Sequence, residues 1–205
     1  MNEHIAKSFT SIYKNSAWES DESRSGAGSE LENTRVLRQR LPLLLSELGI
    51  GTILDAGCGD FNWMKCVHLP CRYIGVDVVS TIIAENKRSF QSKCREFECV
   101  DITEDRLPEA DLVLCRLCFQ HLSNQLVMKA IENFRSTRAA WLLATTFSWP
   151  ENRDIAPGGF RYINLCASPF NFPEPIKTIY ENPAPHCSVA LGLWPLSSIP
   201  SSSLI

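Results

Sequence analysis

Stretches with helical spacing of apolar residues alternate along the chain with short stretches that are apolar throughout. One helical stretch carries five leucines on a single face and ends at Gly49; they are Leu37, Leu41, Leu44, Leu45 and Leu48. Pro42 lies inside this stretch and predicts a kink or a new helix start there. Residues 1–18 are also predicted to be helical, and the polar, glycine-containing residues 19–30 predict a loop.

Five apolar stretches predict buried strands. They are GTILDAG, RYIGVD (72–77), EFECVD (96–101), ADLVLCR (110–116) and AAWLLATTF (139–147). Two further helices lie between them, one predicted to be capped by Ser80 and one by Ser123. Their apolar faces carry Ile82, Ile83 and Phe90 in the first helix, and Val127, Ala130, Ile131 and Phe134 in the second. Apolar strands that alternate with helices predict a parallel sheet covered on both faces.

The pattern changes after Phe147. Residues 148–175 contain five prolines and the pair Gly158–Gly159, which predicts a long loop or insertion. Loops of this length are usually functional or disordered, and the aromatic residues of this one argue against disorder. We therefore expect it to shape a binding site. IKTIYE (176–181) and SVALGLW (188–194) predict two last strands, which form a hairpin at the sheet edge.

Composition narrows the functional classes. The 205 residues are 44% hydrophobic and 21% charged, as in a soluble globular protein, and we interpret residues 1–205 as one domain. A net charge of -3 gives no reason to expect a nucleic-acid or membrane partner. The N-terminal residues do not have the pattern of a signal peptide, and the nine cysteines are interpreted as reduced, buried side chains, which predicts a cytoplasmic location. The composition does not predict the oligomeric state.

The stretch ILDAGCGDF (53–61) ends a predicted strand and places Gly57 and Gly59 in the following turn. Glycine suits such a turn because the backbone must approach a bound nucleotide closely. A dinucleotide site needs a third glycine, and this chain has Asn62 at that position. The departure argues against a nicotinamide oxidoreductase, which we keep as the least favoured alternative.

Acidic residues at the strand ends favour a different nucleotide. Asp60 near the helix start repels a phosphate but suits a cation, and S-adenosylmethionine (SAM) carries a sulfonium, an ammonium and no phosphate. Asp77 ends the second strand, where a carboxylate can accept hydrogen bonds from ribose hydroxyls, and Asp101 follows the third strand, where it can accept from an adenine amino group. We predict a SAM site; its residues are Asp55, Gly57, Gly59, Asp60, Asp77, Val78, Asp101, Ile102 and Arg116.

These motifs resemble those of the class I SAM-dependent methyltransferases. ILDAGCGDF is similar to their first motif, YIGVD to their second, and CVDITEDRLPEADLVLC to their third and fourth. A wider set of strings, spread from about residue 18 to 197, resembles a little-characterised, largely bacterial methyltransferase family. These strings are SGAGSELENTR, DAGCGDFNWM, YIGVDVV, ATTF, NRDI, PFNFPEP and LGLW.

The resemblance implies an α/β, Rossmann-like class I methyltransferase fold. It also implies a mainly parallel sheet of seven strands in the order 3-2-1-4-5-7-6 with helices on both faces, SAM as cofactor and S-adenosylhomocysteine (SAH) as product. The chain departs from the family pattern at Leu117, where an acid is frequent, at Val189, where a basic residue is usual, and in RYINL, where the family has RPLNL. We expect an intact SAM site and an altered acceptor side.

The candidates for catalysis follow the fourth strand. His121 is either the base for a hydroxyl acceptor or a side chain that bonds the backbone, and Arg116 either binds an acidic acceptor or pairs with an acid of the sheet edge. Four insertion residues either form a lid over the acceptor or tie down the loop: Asp154, Arg161, Tyr162 and Asn164. Trp18 and SGAGSE are expected to close over SAM. Cys115, Cys118 and His121 lack a matching second pair of ligands, so no metal is predicted.

The sequence therefore predicts SAM-dependent methyl transfer to a small-molecule or sugar-like acceptor. The alternative from another class is a non-catalytic SAM-binding or interaction protein of the same fold, which the departures on the acceptor side motivate.

Overall fold

The structure is a computed structural model that describes residues 3–182 and 189–201. Four helices are present in these ranges: α1 (Glu3–Lys14), α2 (Arg35–Glu47), α3 (Ser80–Phe90) and α4 (Asn124–Arg135). The strands are β1 (Thr52–Ala56), β2 (Arg72–Asp77), β3 (Arg95–Cys99), β4 (Leu112–Cys115), β5 (Trp141–Thr146), β6 (Lys177–Asn182) and β7 (Val189–Pro195). None of the described helices is both long and apolar enough to cross a membrane.

The strands form a single sheet in the order β3-β2-β1-β4-β5-β7-β6, which confirms the order that the resemblance implied. The first five strands are parallel, and β7 is antiparallel to both β5 and β6, as predicted for a terminal hairpin. Ser188, which the prediction put in the last strand, lies outside the described residues. Because the chain proceeds outward from β1 to β3 and then returns to β4 beside β1, the strand order reverses between β1 and β4. Ligands of open α/β sheets bind outside the carboxyl ends of the strands at this point.

The core lies on both faces of the sheet, as expected for parallel strands that are buried on two sides. One face of the sheet packs against α4, where Val127, Ile131 and Phe134 are fully buried. The other face packs against α2 through Leu37, Leu41, Leu44 and Leu45. The helical periodicity in the sequence therefore identified the buried faces of both helices.

Some local predictions were wrong. Helix α1 ends at Lys14 rather than at residue 18, and Ser16 follows in a left-handed backbone conformation with φ 48°. Ser80 does not cap α3; Val79 holds the cap position, and its backbone N–H donates to the Asp77 carboxylate at 3.0 Å. The Ser123 prediction is confirmed, because its Oγ accepts from the N–H of Leu126.

Helix α2 continues through Pro42 without a new start, so that part of the prediction was wrong. The cysteines also differ from expectation. All cysteines in the described part of the chain are free thiols, but Cys66 and Cys94 are exposed rather than buried, and Cys187 lies outside the described residues.

The segment from 148 to 175 is a long loop, as predicted, and contains no helix or strand. Side chains hold it in place. Asn152 donates to the carbonyl groups of Asn164 and Ser168 at 2.8 and 2.9 Å, and Phe170 and Phe172 are buried in the core. The loop is therefore packed onto the domain.

Candidate cofactor and acceptor site

Two positions of the turn after β1 have a backbone conformation that would be strained with any residue other than glycine. Gly57 and Gly59 have φ of 84° and 56°, in the left-handed region that glycine adopts readily. A Cβ on Gly59 would lie 2.2 Å from the Oγ of Ser25, and one on Gly57 would lie 3.0 Å from the Sγ of Cys118. Backbone conformation and close neighbours therefore both require glycine at these two positions.

Two buried carboxylates lie beside this turn. Asp77, at the end of β2, accepts from the N–H of Gly59 at 3.0 Å, and Asp55, near the end of β1, accepts from the Tyr73 hydroxyl at 2.7 Å. Burial raises the pKa of Asp55 from its ordinary value of 3.8 to about 7, and the Tyr73 hydrogen bond offsets part of that rise. Burial also raises the pKa of Asp77, against the lowering effect of its backbone hydrogen bonds. Burial thus keeps water from both carboxylates, and a bound cation or hydroxyl group would stabilise their charged form in place of water.

A cavity of about 450 Å³ opens at the carboxyl ends of β1 to β4. Eight of the nine predicted cofactor-binding residues line it: Asp55, Gly57, Gly59, Asp77, Val78, Asp101, Ile102 and Arg116. The Asp101 carboxylate accepts from the N–H and the hydroxyl of Thr103, at 2.9 and 2.7 Å. His121 lines the same cavity, so the structure brings the predicted cofactor residues and the predicted base together.

Asp60, the ninth predicted residue, does not line the cavity. Its carboxylate accepts from the hydroxyls of Ser23 and Ser25, at 2.9 and 3.0 Å, and from the N–H of Arg24 at 2.8 Å. The structure therefore gives Asp60 a different position from the predicted one, because the segment that follows α1 takes up its hydrogen-bonding capacity.

Asn62, at the position of the missing third glycine, also holds the N-terminal segment. Its Nδ2 donates to the carboxylate of Glu22 at 2.7 Å and to the carbonyl of Ser29 at 3.0 Å. Trp18, Ser25 and residues 26–29 line the cavity, and their closure over a cofactor stays a prediction. We call residues 15–34 the lid segment.

Arg116 pairs with an acid of the sheet edge, which is one of the two alternatives that the sequence left open. Its Nε and Nη2 donate to the two carboxylate oxygens of Glu181 in β6, at 2.6 and 3.0 Å, and Nη2 also donates to the carbonyl of Gly28 at 2.6 Å. The guanidinium also lies 5.2 Å from the ring centre of Trp63. Arg116 therefore links the hairpin to the lid segment while it lines the cavity.

His121 has a defined orientation. Its Nδ1 lies 2.8 Å from the carbonyl oxygen of Gly159, so Nδ1 carries the proton in this contact. Burial lowers the pKa of His121 below its usual value, although the Gly159 contact offsets part of that effect. The neutral ring then keeps an unprotonated Nε2, which makes no hydrogen bond within residues 3–182 and 189–201. The two predicted roles of His121 are thus compatible, because Nδ1 makes the backbone contact and Nε2 is left to act as a base.

The insertion residues divide between the two predicted roles. The buried Arg161 donates to the carbonyl groups of Arg153 and Leu122, and Asp154 accepts from the N–H of Asn124 at 2.7 Å. Asn164 bonds the backbone of Trp149. These three side chains tie the loop to the domain, and Tyr162 alone of the four lines the cavity.

The sequence reasoning missed several lining residues. Ile5, Phe9 and Tyr13 of α1 face the cavity, and their four-residue spacing was the available signal. Phe147 at the end of β5 also lines it. Among the described residues, no group of three or more His, Cys, Asp or Glu side chains could hold a metal ion.

Residues 53–138, from β1 to the end of α4, match the family profile described as a methyltransferase domain. This part of the chain is therefore similar to methyltransferase domains. The match covers the motifs from the glycine turn to His121, whereas α1, the lid segment, the insertion and the hairpin lie outside it. A search of curated protein sequences gave no match.

Solved structures with the same fold include three methyltransferases. The N-methyltransferase NodS from Bradyrhizobium japonicum WM9, in complex with SAH, has a TM-score of 0.55 at 18% identity and covers 68% of this chain and 72% of its own. The magnesium protoporphyrin IX methyltransferase ChlM from Synechocystis PCC 6803, with bound SAM, has a TM-score of 0.59 at 12% identity, with coverages of 92% and 96%.

The third structure is the 1,6-didemethyltoxoflavin-N1-methyltransferase from Burkholderia thailandensis, with bound 1,6-didemethyltoxoflavin and SAH. Its TM-score is 0.59 at 16% identity, and the alignment covers 97% of this chain and 88% of its own. At these identities the likeness establishes the fold. The chain therefore has the Rossmann-like fold of these proteins, with the seven-stranded sheet that the sequence predicted.

Proposed function

We propose that this protein is a SAM-dependent methyltransferase that acts on a small-molecule acceptor. The observation that carries the proposal is the cluster at the switch point, where two left-handed glycines and the buried Asp77 line one cavity. This arrangement fits a nucleoside with a positive centre, because the carboxylates offer acceptors for hydroxyl groups and favour a cation. NodS and ChlM, which share the fold, were crystallised with SAH and SAM.

The residues that would hold the cofactor occupy different parts of the cavity wall. Asp77, at the end of β2, would accept from the ribose hydroxyls, and Asp101, after β3, would accept from the adenine amino group. Asp55, which borders the glycine turn, would face the positively charged end. When bound, SAM supplies a methyl group on a sulfonium and leaves as SAH.

The chain's own residues would position the acceptor and exclude water. The lid segment and α1 cover the cavity, and His121 presents its unprotonated Nε2 beside them. A hydroxyl acceptor needs a base that takes its proton as the oxygen attacks, and a neutral imidazole can do this near pH 7. Holding the acceptor in line with the methyl group supplies several kcal/mol of the barrier reduction.

Calorimetry with SAM and SAH tests the proposal. The wild-type protein should bind both, and Asp77→Ala should weaken binding at least tenfold. Glu98→Gln, which changes an exposed carboxylate of β3, is the matched control and should leave both affinities unchanged. Failure of the wild type to bind either compound would refute the proposal.

The non-catalytic alternative rests on two positions of the acceptor side. Leu117 and Val189 both line the cavity, where the resemblance leads us to expect an acidic and a basic residue. A protein that binds SAM without catalysis would show calorimetric affinity and no transfer of label from methyl-labelled SAM to any acceptor in a panel of alcohols, amines, acids and sugars. Turnover of any of these compounds excludes this alternative. The cytoplasmic location stays a prediction.

A further inference from the structure

Aromatic rings form a continuous row along the cavity wall and reach the protein surface. Trp18 and His121 have ring centres 5.1 Å apart, His121 and Phe160 5.9 Å, and Phe160 and Tyr162 5.3 Å. We call these four side chains the aromatic row. All four line the cavity, yet Phe160 and Tyr162 are 52% and 36% exposed. Exposed rings that continue into a cavity mark a surface that binds another apolar group.

The wall around the row carries no formal charge. The charged side chains that line the cavity are the three carboxylates assigned above to the cofactor and Arg116, all at or just after the carboxyl ends of β1 to β4. Helix α1 and residues 147–162 contribute only apolar or aromatic side chains to the lining: Ile5, Phe9, Tyr13, Phe147, Phe160 and Tyr162. Burying a charged group against such a wall without a partner is costly, so the wall selects against an ionised acceptor.

The same wall selects against a sugar. A sugar ring loses hydrogen bonds with water at each hydroxyl, and each must be replaced when the ring is buried. The Tyr13 hydroxyl already bonds Ser25 at 3.0 Å, which leaves the hydroxyl of Tyr162 as the other polar side-chain group of this wall. A flat aromatic compound needs few hydrogen bonds and gains ring stacking instead.

Two polar groups adjoin the row and suit a single hydroxyl group. Nε2 of His121 is an acceptor, and the amide of the buried Gln120 lines the cavity with an Oε1 that has no hydrogen-bond partner in the described part of the chain. A neutral amine can attack without first losing a proton, whereas a hydroxyl group needs a base such as His121. A base held in one orientation beside aromatic rings therefore fits a phenol-like acceptor.

We infer that the acceptor is a flat, uncharged aromatic compound, held between the rings of the aromatic row and methylated on a ring hydroxyl group. The inference rests on the proposed methyltransferase function. The hydroxyl oxygen forms a bond to the methyl carbon, its proton passes to Nε2 of His121, and the electron pair of the broken carbon–sulfur bond stays on sulfur. The products are an aryl methyl ether, SAH and the protonated imidazole.

Equilibrium dialysis at pH 7 with SAH-saturated protein tests this inference. The probes are 2-naphthol, naphthalene, 2-naphthoate and methyl β-D-glucopyranoside, which vary the hydroxyl group, the charge and the aromatic ring in turn. We expect 2-naphthol to bind at least fivefold more tightly than naphthalene and at least tenfold more tightly than the other two. Equal or tighter binding of the naphthoate or the glucoside would overturn the inference.

Single substitutions test whether 2-naphthol binds at the aromatic row. Phe160→Ala should weaken 2-naphthol about fivefold without changing the affinity for SAH. His121→Phe keeps a ring but loses Nε2, so it should remove the preference for 2-naphthol over naphthalene. Leu43→Ala removes an exposed apolar side chain of α2 that does not line the cavity, and should change neither affinity. If Phe160→Ala and Leu43→Ala behave alike, the aromatic row is not the acceptor site.

The two proposals fail in different ways. If SAH does not bind, the methyltransferase proposal fails before any probe is added. If SAH binds and 2-naphthol shows no preference over the other probes, the inference about the acceptor fails alone. Thermal unfolding of each variant with and without SAH identifies any that has lost its fold.

Discussion

The substitution Asp55→Asn should remove a pH-dependent loss of stability. The Asp55 carboxyl is 3% exposed, and burial raises its pKa to about 7, against 3.8 ordinarily. The folded protein therefore keeps this proton to a higher pH than the unfolded chain does. The stability that this provides is complete below pH 3.8 and is lost as the pH rises through about 7. Asn cannot ionise, yet its side-chain oxygen still accepts from the Tyr73 hydroxyl.

The size of the effect follows from the two pKa values. Between pH 5 and 7 the unfolded chain has already lost the proton and the folded chain retains it, so each pH unit lowers the wild-type stability by about 1.4 kcal/mol. The free energy of unfolding of Asp55→Asn relative to wild type should therefore rise by about 3 kcal/mol between pH 5 and 8.

Urea denaturation of the ligand-free proteins at both pH values measures this difference. Glu98→Gln is the control, because that carboxylate is exposed and should show no comparable change. A relative stability of Asp55→Asn that stays constant within about 0.5 kcal/mol from pH 5 to 8 would refute the reasoning, since it would mean that the buried carboxyl ionises at its ordinary pKa.

Three further expectations concern the cofactor affinity, the buried ion pair and the lid segment. Calorimetric affinity of the wild type for SAM should rise about tenfold between pH 6 and 8, as Asp55 ionises, and should stay flat in Asp55→Asn. Arg116→Met leaves the Glu181 carboxylate buried without its partner and should lower the free energy of unfolding in urea by about 3–5 kcal/mol, whereas Arg116→Met combined with Glu181→Leu should restore most of it. Asp60→Ala removes the acceptor that holds residues 23–25, so limited trypsin digestion after Arg24 should become about tenfold faster, with no change in Glu98→Gln. An unchanged pH profile, urea curve or cleavage rate would contradict the respective expectation.

Local patterns of apolar residues in the sequence were sufficient to predict most of the strands and helices. Strands β1, β2, β4 and β5 are mostly apolar and buried, and the leucine spacing of α2 marks the face that the structure buries. Strand β3 differs from the prediction, because charged residues alternate with apolar ones in it and only Phe97 is buried. The strand order came from the resemblance to a known family, because periodicity carries no information about which strands lie side by side.

Contacts between distant residues could not be predicted in the same way. The partner of Arg116 is Glu181, which is 65 positions away in the sequence. Nothing in the sequence around β6 indicates that this carboxylate, rather than one from another part of the chain, pairs with Arg116. Serine is a common helix cap, but Val79 holds the cap position of α3 and its N–H donates to the Asp77 carboxylate. The same carboxylate accepts from the N–H of Gly59 in the turn after β1, which is a contact between residues far apart in the sequence. Asp60 was assigned to the cofactor because of its place in the motif, although the nearby hydroxyls of Ser23 and Ser25 bind it instead.

The anchoring of the lid segment to Asp60 and Asn62 limits how the protein can change its acceptor. Trp18 belongs to the aromatic row, and the same segment bonds the turn that would hold the cofactor through Glu22, Ser23 and Ser29. A lid segment taken from a different protein of this fold would leave the Asp60 carboxylate and the Asn62 amide without these partners. We expect chimeras that exchange residues 15–34 alone to lose cofactor affinity, and those that exchange residues 60–62 with them to keep it. Under the proposed function, a change in the part of the lid segment that contacts the acceptor would therefore require a matching change in the turn that binds the cofactor.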